Sequence, residues 1–345
     1  MSARTTRKRA RPDSQDWEAA ETQEAGGEQA GMAGAGRKRD EEFWFEDGNV
    51  MLVARDVEFR VFKGILADHS PVFKDMFSLP QPPEYATALC PVVHVTDAPE
   101  DLRHLLRVYM PKTEPSPFLP EDPSFDVISA TVRLGHKYQI AKLVEHSIDY
   151  LKKYYTTDYA AFAQRGHPYW PPSFKAEHAI GVINLAHLTG ELSLLPLALF
   201  ICCTLDKDIV KGVQRGDGSW EQLTLDDIGL CFAARGRLVA RRAEATTFVF
   251  DLVRISEGCT KPGRRCAEVL RDVLTKLKTS EWAVPDPFSS VLRGYSQHLK
   301  TNLCSACWRL ARTLDEEEFR EMWTQLPTFF GLEAQGDDDS DHDED

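Results

Sequence analysis

The chain has no apolar run of the about 18 residues that a membrane-spanning helix needs. Its most apolar stretch, LSLLPLALFICCTL from Leu192 to Leu205, is too short for that and carries Pro196. An excess of positive charge is also missing. With 41 Lys and Arg against 54 Asp and Glu, the net charge is −13. Phosphate contact needs clustered positive surface, so a general nucleic-acid binder is not expected. No apolar segment follows the basic N-terminus, so no secretory signal is expected. Eight cysteines in such a chain read as thiols rather than a disulfide framework. There is no GxxxxGK[ST] phosphate loop, no HExxH and no GxSxG. These absences point to an intracellular, cytoplasmic and/or nuclear protein, without membrane or nucleic acid as partner and without an enzymatic activity.

What the chain does contain is globular material. Hydrophobic residues make up 42% and charged residues 28% of 345, enough for two domains with their own cores. Residues 1–41 are rich in Arg, Ala, Gly, Glu and Gln and poor in large apolar side chains. Such a segment cannot offset the entropy of ordering and is expected to be disordered. It holds two basic clusters, RKRARP (Arg7 to Pro12) and GRKR (Gly36 to Arg39), which read either as nuclear-import signals or as a solubilising tail. A second tail is expected at 333–345, ending in the acidic run GDDDSDHDED.

The first folded segment is expected over residues 42–157. NVMLVA (Asn49 to Ala54) and VEFRVF (Val57 to Phe62) read as two strands joined by a tight turn at Arg55-Asp56. Short helices follow over Lys63 to Ala67 and Ser70 to Phe77, and VVHV (Val92 to Val95) is a third strand. Asp97 is the expected cap of a helix with Pro99 at its start and Leu102, Leu105, Leu106 and Tyr109 on its buried face. After a proline-rich loop, Asp122-Pro123 opens another helix, and Ile140, Leu143, Val144, Ile148 and Leu151 form the stripe of a last one. The contiguous Asp68, His69 and Ser70 have the residue types of a hydrolase triad. Neighbouring side chains diverge, however, whereas a triad converges in space. Ser70-Pro71 therefore reads as a helix start, with Ser70 as cap.

Two stretches carry a family resemblance: FRVFKGILADHSPVF, from Phe59 to Phe73, and LGHKYQI, from Leu134 to Ile140. In order and spacing they resemble the BTB/POZ domain, with Phe62 where that family usually has His. The run FWFEDGNVMLVA and the cysteine-bearing C-terminal region are similar to BTB proteins abundant in mushroom-forming fungi. The resemblance implies an α+β chain: a small BTB/POZ-like α/β domain, its short sheet covered by helices, followed by a mainly α-helical domain. It also implies self-association as a homodimer and binding to other proteins. Some family members are substrate adaptors for cullin-based ubiquitin ligases, with the contact expected around Val95 to Leu106, and others regulate transcription.

A polar and aromatic connector is expected at 158–174 and a helical domain at 175–332. Helices are expected over Ala176 to Thr189, stopped by Gly190, and over Leu194 to Leu205. A long helix is capped by Thr224 and buries Ile228, Cys231, Leu238, Ala245, Val249 and Leu252. Arg235, Arg237, Arg241 and Arg242 along it form either a nucleic-acid patch or, with no interleaved aromatics, an ion-paired face. Gly212, Gly216 and Gly218 make a turn that is weak as a phosphate cradle. The aromatic run MWTQLPTFFGL (Met322 to Leu332) reads as a segment docked on the core or as a partner-binding peptide.

The strongest chemical pattern is cysteine spacing. Cys259 and Cys266 flank Gly263, and Cys304 and Cys307 form Cys-Ser-Ala-Cys at an expected helix start. Four thiolates in two arms suit one tetrahedral structural zinc, with His298 as a substitute ligand. Two other readings stay open: ordinary buried cysteines, and a thioredoxin-like redox pair. A redox or metal-dependent enzyme would need an open site with a base such as His298 or Glu257. Cys90, Cys202, Cys203 and Cys231 sit in apolar runs and are expected in cores. No catalytic residue is assigned, and no cofactor beyond zinc.

Overall fold

The structure is a computed structural model that describes residues 36–80, 90–112, 120–165, 168–250, 257–261, 265–280, 288, 290 and 292–332. The cluster RKRARP, the residues Gly263 and Leu252, and the acidic tail lie outside the described residues. No described helix is long and apolar enough to cross a membrane.

The N-terminal sheet has four strands: β1 (Lys38–Trp44), β2 (Val50–Ala54), β3 (Val57–Val61) and β4 (Val92–Val95), in the order β1-β3-β2-β4. β2 and β3 form the expected antiparallel hairpin, and Arg55 takes the left-handed conformation (φ 54°) that its tight turn requires. β1 and β4 add on in parallel, so the sheet is mixed. The sheet begins at Lys38, a few residues before the expected edge of the folded segment. Lys38 and Arg39 of the second basic cluster thereby become strand residues, with the Arg39 guanidinium 4.4 Å over the Trp44 ring.

Helices α1 (Lys63–His69), α2 (Pro71–Ser78) and α3 (Pro99–Tyr109) cover the sheet. Ser70 caps α2: its hydroxyl accepts from the Phe73 N–H at 3.0 Å and donates to the Tyr138 carbonyl at 2.6 Å. Both roles of the hydroxyl are taken. His69 stacks on Tyr109 and Asp68 is exposed, so the three triad-like residues go separate ways. Asp97, expected to cap α3, does not. Ala98 holds that position without a side-chain bond, while the Asp97 carboxylate binds Lys137 at 2.6 Å and the Tyr138 hydroxyl. A carboxylate that accepts from an ammonium and a buried phenol gains more than a single cap bond. Next comes α4 (Phe125–Lys137), capped by Ser124 rather than opened by Asp122-Pro123, and then α5 (Ala141–Lys152).

α4 and α5 stand between two cores. Leu134, Tyr138, Ile140 and Leu143 face the sheet, in a cluster with Leu52, Phe59, Leu66, Phe73 and Leu105. Phe125, Ile128, Val132, Ile148 and Leu151 face a second, larger cluster. That cluster is filled by α7 (His178–Thr189), buried over Ala179, Ile180, Val182, Ile183, Leu185 and Ala186, and by α8 (Leu195–Thr204), buried from Leu197 to Cys203. Gly190 ends α7 in the left-handed conformation (φ 73°), as its position suggested. The connector contributes to this core as well. It forms α6 (Tyr159–Arg165), and Phe162, Tyr169 and Phe174 are buried.

Between α8 and the long α9 (Leu225–Val249) lies a small hairpin of β5 (Val213–Gln214) and β6 (Trp220–Glu221). Thr224 caps α9 as expected. Three helices complete the described chain: α10 (Arg265–Ser280), α11 (Ser296–Asn302) and α12 (Ser305–Phe329). The α9 arginines are tied to neighbouring groups. Arg241 pairs with Glu318 of α12 at 2.7 Å, Arg235 with Asp206 at 3.0 Å, and Arg237 donates to the Phe329 carbonyl. Arg242 is itself buried. The aromatic run Met322 to Leu332 covers the C-terminal turns of α12 and the three residues after it, with Met322, Leu326 and Phe330 sunk into the second core. A third core, smaller and separate, joins the end of α9, α10, α11 and the first half of α12.

Candidate metal centre and interaction surfaces

Cys259 lies in the loop before α10, Cys266 in the first turn of α10, Cys304 at the N-cap of α12 and Cys307 in its first turn. The four sulfurs all lie within 4.8 Å of one another. The Cys304 and Cys259 sulfurs are 3.9 Å apart. Backbone N–H groups point at the sulfurs: Cys307 donates to the Cys304 Sγ at 3.5 Å, and Cys304 donates to the Cys266 Sγ at 3.4 Å. The Cys307 N–H, aided by that of Thr260, pulls the Cys304 thiol down to about 6. Burial pushes the Cys266 thiol up. Cys266, Cys304 and Cys307 are buried and Cys259 is half-buried.

His298 does not join the four. It is exposed on α11, with its Nδ1 3.3 Å from the Asn302 amide. Glu257 is exposed too. The other cysteines are core residues, as their apolar runs suggested. Cys203 donates to the Cys231 carbonyl, Cys231 to the Leu199 carbonyl, and Cys90 and Cys202 are buried.

A second constellation was not visible as a site in the sequence. The β5–β6 hairpin reaches onto the N-terminal segment and holds it by paired charges. Arg215 binds Asp101 of α3 at 2.6 Å, and Arg55 of the β2–β3 turn binds Asp217 at 2.9 Å. The Gly216 N–H donates to Asp126 of α4 at 3.0 Å. Glu221 takes Arg133 of α4 and the Asn184 amide of α7. Burial raises the Asp101 carboxyl despite Arg215. Burial also pushes the Asp217 carboxyl up, but the Ser219 hydroxyl and N–H together with Arg55 outweigh it and hold it at about 2. The glycine turn is thus a clasp. The N–H that a phosphate would need at Gly216 is already given to a carboxylate. The run VQRGDGSWE did carry the hairpin signal, glycines and an Asp-Gly pair between short apolar ends.

The third feature is an apolar belt. Phe45, Phe62, Ile65, Val72, Met76 and Phe77 are half-buried around α1 and α2, packed on the sheet core, and Leu79 is 64% exposed. Phe45 and Phe62 lie ring to ring at 5.0 Å. Among the described residues, that core cluster draws on side chains between Phe43 and Leu143. The polar face of α3 is, by contrast, engaged. Arg103 binds Asp40 at 2.7 Å and Arg107 binds Glu42 at 2.5 Å, both on β1, and Asp101 is held by the clasp.

Residues 42–155 match the family model of the BTB/POZ domain. No curated protein matches the chain. The fold agrees with the family match: a short mixed sheet covered by helices, followed by a helical region, an α+β chain.

Proposed function

We propose that this chain, which carries a BTB/POZ domain at residues 42–155, is a non-enzymatic interaction module. Its BTB/POZ domain self-associates and binds other proteins, and the helical half, clasped to it, sets which partner is held. BTB/POZ domains are protein-interaction domains, and the observation that carries the reading here is the half-exposed apolar belt on α1 and α2. Half-buried aromatic and aliphatic side chains grouped on one face are what a protein interface buries. The resemblance to BTB proteins of mushroom-forming fungi extends the reading to the cysteine-bearing region.

The cullin-adaptor form of this reading meets resistance at α3. In the stretch Val95 to Leu106, Arg103 is paired with Asp40 of β1 and Asp101 with Arg215 of the clasp. A cullin docking there would have to break those pairs. The nuclear-scaffold form rests on RKRARP, since Lys38 and Arg39 of the other cluster are built into β1.

Sedimentation equilibrium of the full chain over a concentration series tests self-association. A dimer is expected at micromolar concentration, and Met76→Glu in the belt is expected to weaken it by at least about tenfold, a buried charge being worth more than 1.4 kcal/mol. A monomer at high micromolar concentration overturns the reading. Affinity capture from the source cells, read by mass spectrometry, tests the adaptor form: a cullin among the leading partners would support it, and capture of the chain alone would count against it.

A further inference from the structure

We infer that Cys259, Cys266, Cys304 and Cys307 hold one structural zinc ion, and that this ion staples the third core together. Zinc bound to four sulfurs at about 2.3 Å sets neighbouring sulfurs about 3.8 Å apart. The Cys304 and Cys259 sulfurs are 3.9 Å apart, and all four lie within 4.8 Å. A disulfide would need about 2 Å between one pair and would leave the second pair without a role. Free buried thiols have no reason to converge from two arms separated by the whole of α10.

The surroundings suit an anionic cluster. Loading one Zn2+ onto four thiols releases four protons and leaves a net charge of −2. Cys266 lies in the first turn of α10, and Cys304 and Cys307 cap and open α12, so two helix N-termini converge on the sulfurs. Each presents a partial positive charge and free N–H groups. Two of those N–H groups already donate to sulfur, as outer-shell donors do in thiolate metal sites. The Lys261 ammonium, in the loop of Cys259, donates to the Asn302 carbonyl at 2.6 Å, just ahead of the Cys304 arm. Among the described residues, no histidine or carboxylate joins the four. Four thiolates fill a tetrahedron and leave no position for water, so the site is structural rather than catalytic.

The fold also needs a staple at this place. The third core is the smallest of the three among the described residues: Leu270, Val273, Leu299, Leu303 and Leu314 with Phe250 from the end of α9. Cores of this size are commonly completed by a metal or a disulfide. A zinc here would tie the loop before α10 to the start of α12.

The test is metal analysis of the full chain as purified. One zinc per chain is expected by elemental mass spectrometry, with the four thiols shielded from a thiol reagent until a chelator strips the metal. Cobalt exchanged into the intact protein is expected to give the intense d–d bands of tetrahedral thiolate coordination. Cys304→Ser is expected to lower bound zinc by more than about tenfold, since loss of an outer-shell partner alone costs that much. Cys90→Ser, outside the cluster, is expected to keep it. If the Cys304 variant does not fold, the cobalt spectrum and the chelator-dependent thiol count of the intact chain still decide. Metal-free protein with four reactive thiols, two disulfides among the four cysteines, or an iron-thiolate chromophore in place of zinc would each overturn the assignment.

Discussion

Ser70 shows how much one side chain settles. It is 1% exposed, caps α2 through the Phe73 N–H, and ties that helix to the α4–α5 turn through the Tyr138 carbonyl. The Tyr138 ring then stacks on Phe73 at 4.1 Å, and its hydroxyl reaches Asp97. Two separated motifs of the sequence, HSPVF and GHKYQI, therefore meet at one hydroxyl. Ser70→Ala leaves a buried donor and a buried acceptor without partners. The expected loss is about 2 kcal/mol, the sum of a lost cap and a lost buried bond. In urea the midpoint falls while the slope is unchanged. An unmoved midpoint would show that water replaces both bonds. The capping role of Ser70 was legible because Ser-Pro before an apolar pair has a local meaning. Its bond to Tyr138 was not, because the two residues are 68 positions apart.

At the scale of elements, the β5–β6 hairpin is the piece that sequence reading undervalued. Its glycines suggested a weak anion loop, whereas its charges bind α3, α4 and the β2–β3 turn. Asp217 makes this pH-dependent. Its carboxyl is held at about 2 in the fold against an ordinary 3.8. A depressed carboxyl contributes stability that is whole above the ordinary value and is lost as pH falls through the folded one. Wild type is therefore expected to exceed Asp217→Asn in urea midpoint at neutral pH, with the difference shrinking between about pH 4 and pH 2. A difference that stays constant across that range would mean that the carboxylate charge does not secure the clasp. The arginines of α9 belong to the same lesson. An ion-paired face was expected, and the partners turned out to include Glu318 on α12, a residue no local pattern could nominate.

At the scale of the molecule, the BTB/POZ domain does not end where its core ends. Phe125, Ile128, Val132, Ile148, Tyr150 and Leu151 lie within the family match but are buried against the helical half. A fragment cut at 157 uncovers them. Fully burying such side chains is worth about 1.5 to 3 kcal/mol each, so the six together represent roughly 9 to 18 kcal/mol. That rivals the whole stability of a typical domain. The fragment 38–157 is expected to bind a hydrophobic dye and lose near-ultraviolet dichroism, while the full chain unfolds cooperatively. A fragment with native-like dichroism and a sharp transition would show that α4 and α5 repack without their cover.

Local signals in the chain sufficed for the hairpin of β2 and β3, the α2 and α9 caps and the stop at Gly190, and longer motifs for the BTB/POZ domain and the two cysteine arms. The hairpin, the caps and the helix stop rest on neighbours within a few positions, where backbone geometry and periodicity act. Long-range packing was needed to show that Asp97 serves Tyr138 instead of α3, that the glycine turn is a clasp, that the connector's aromatics fill a core, and that four sulfurs from two distant arms converge. Those outcomes depend on which buried polar and apolar groups meet once the chain has closed on itself. Desolvation then sets their partners, and no local pattern encodes it.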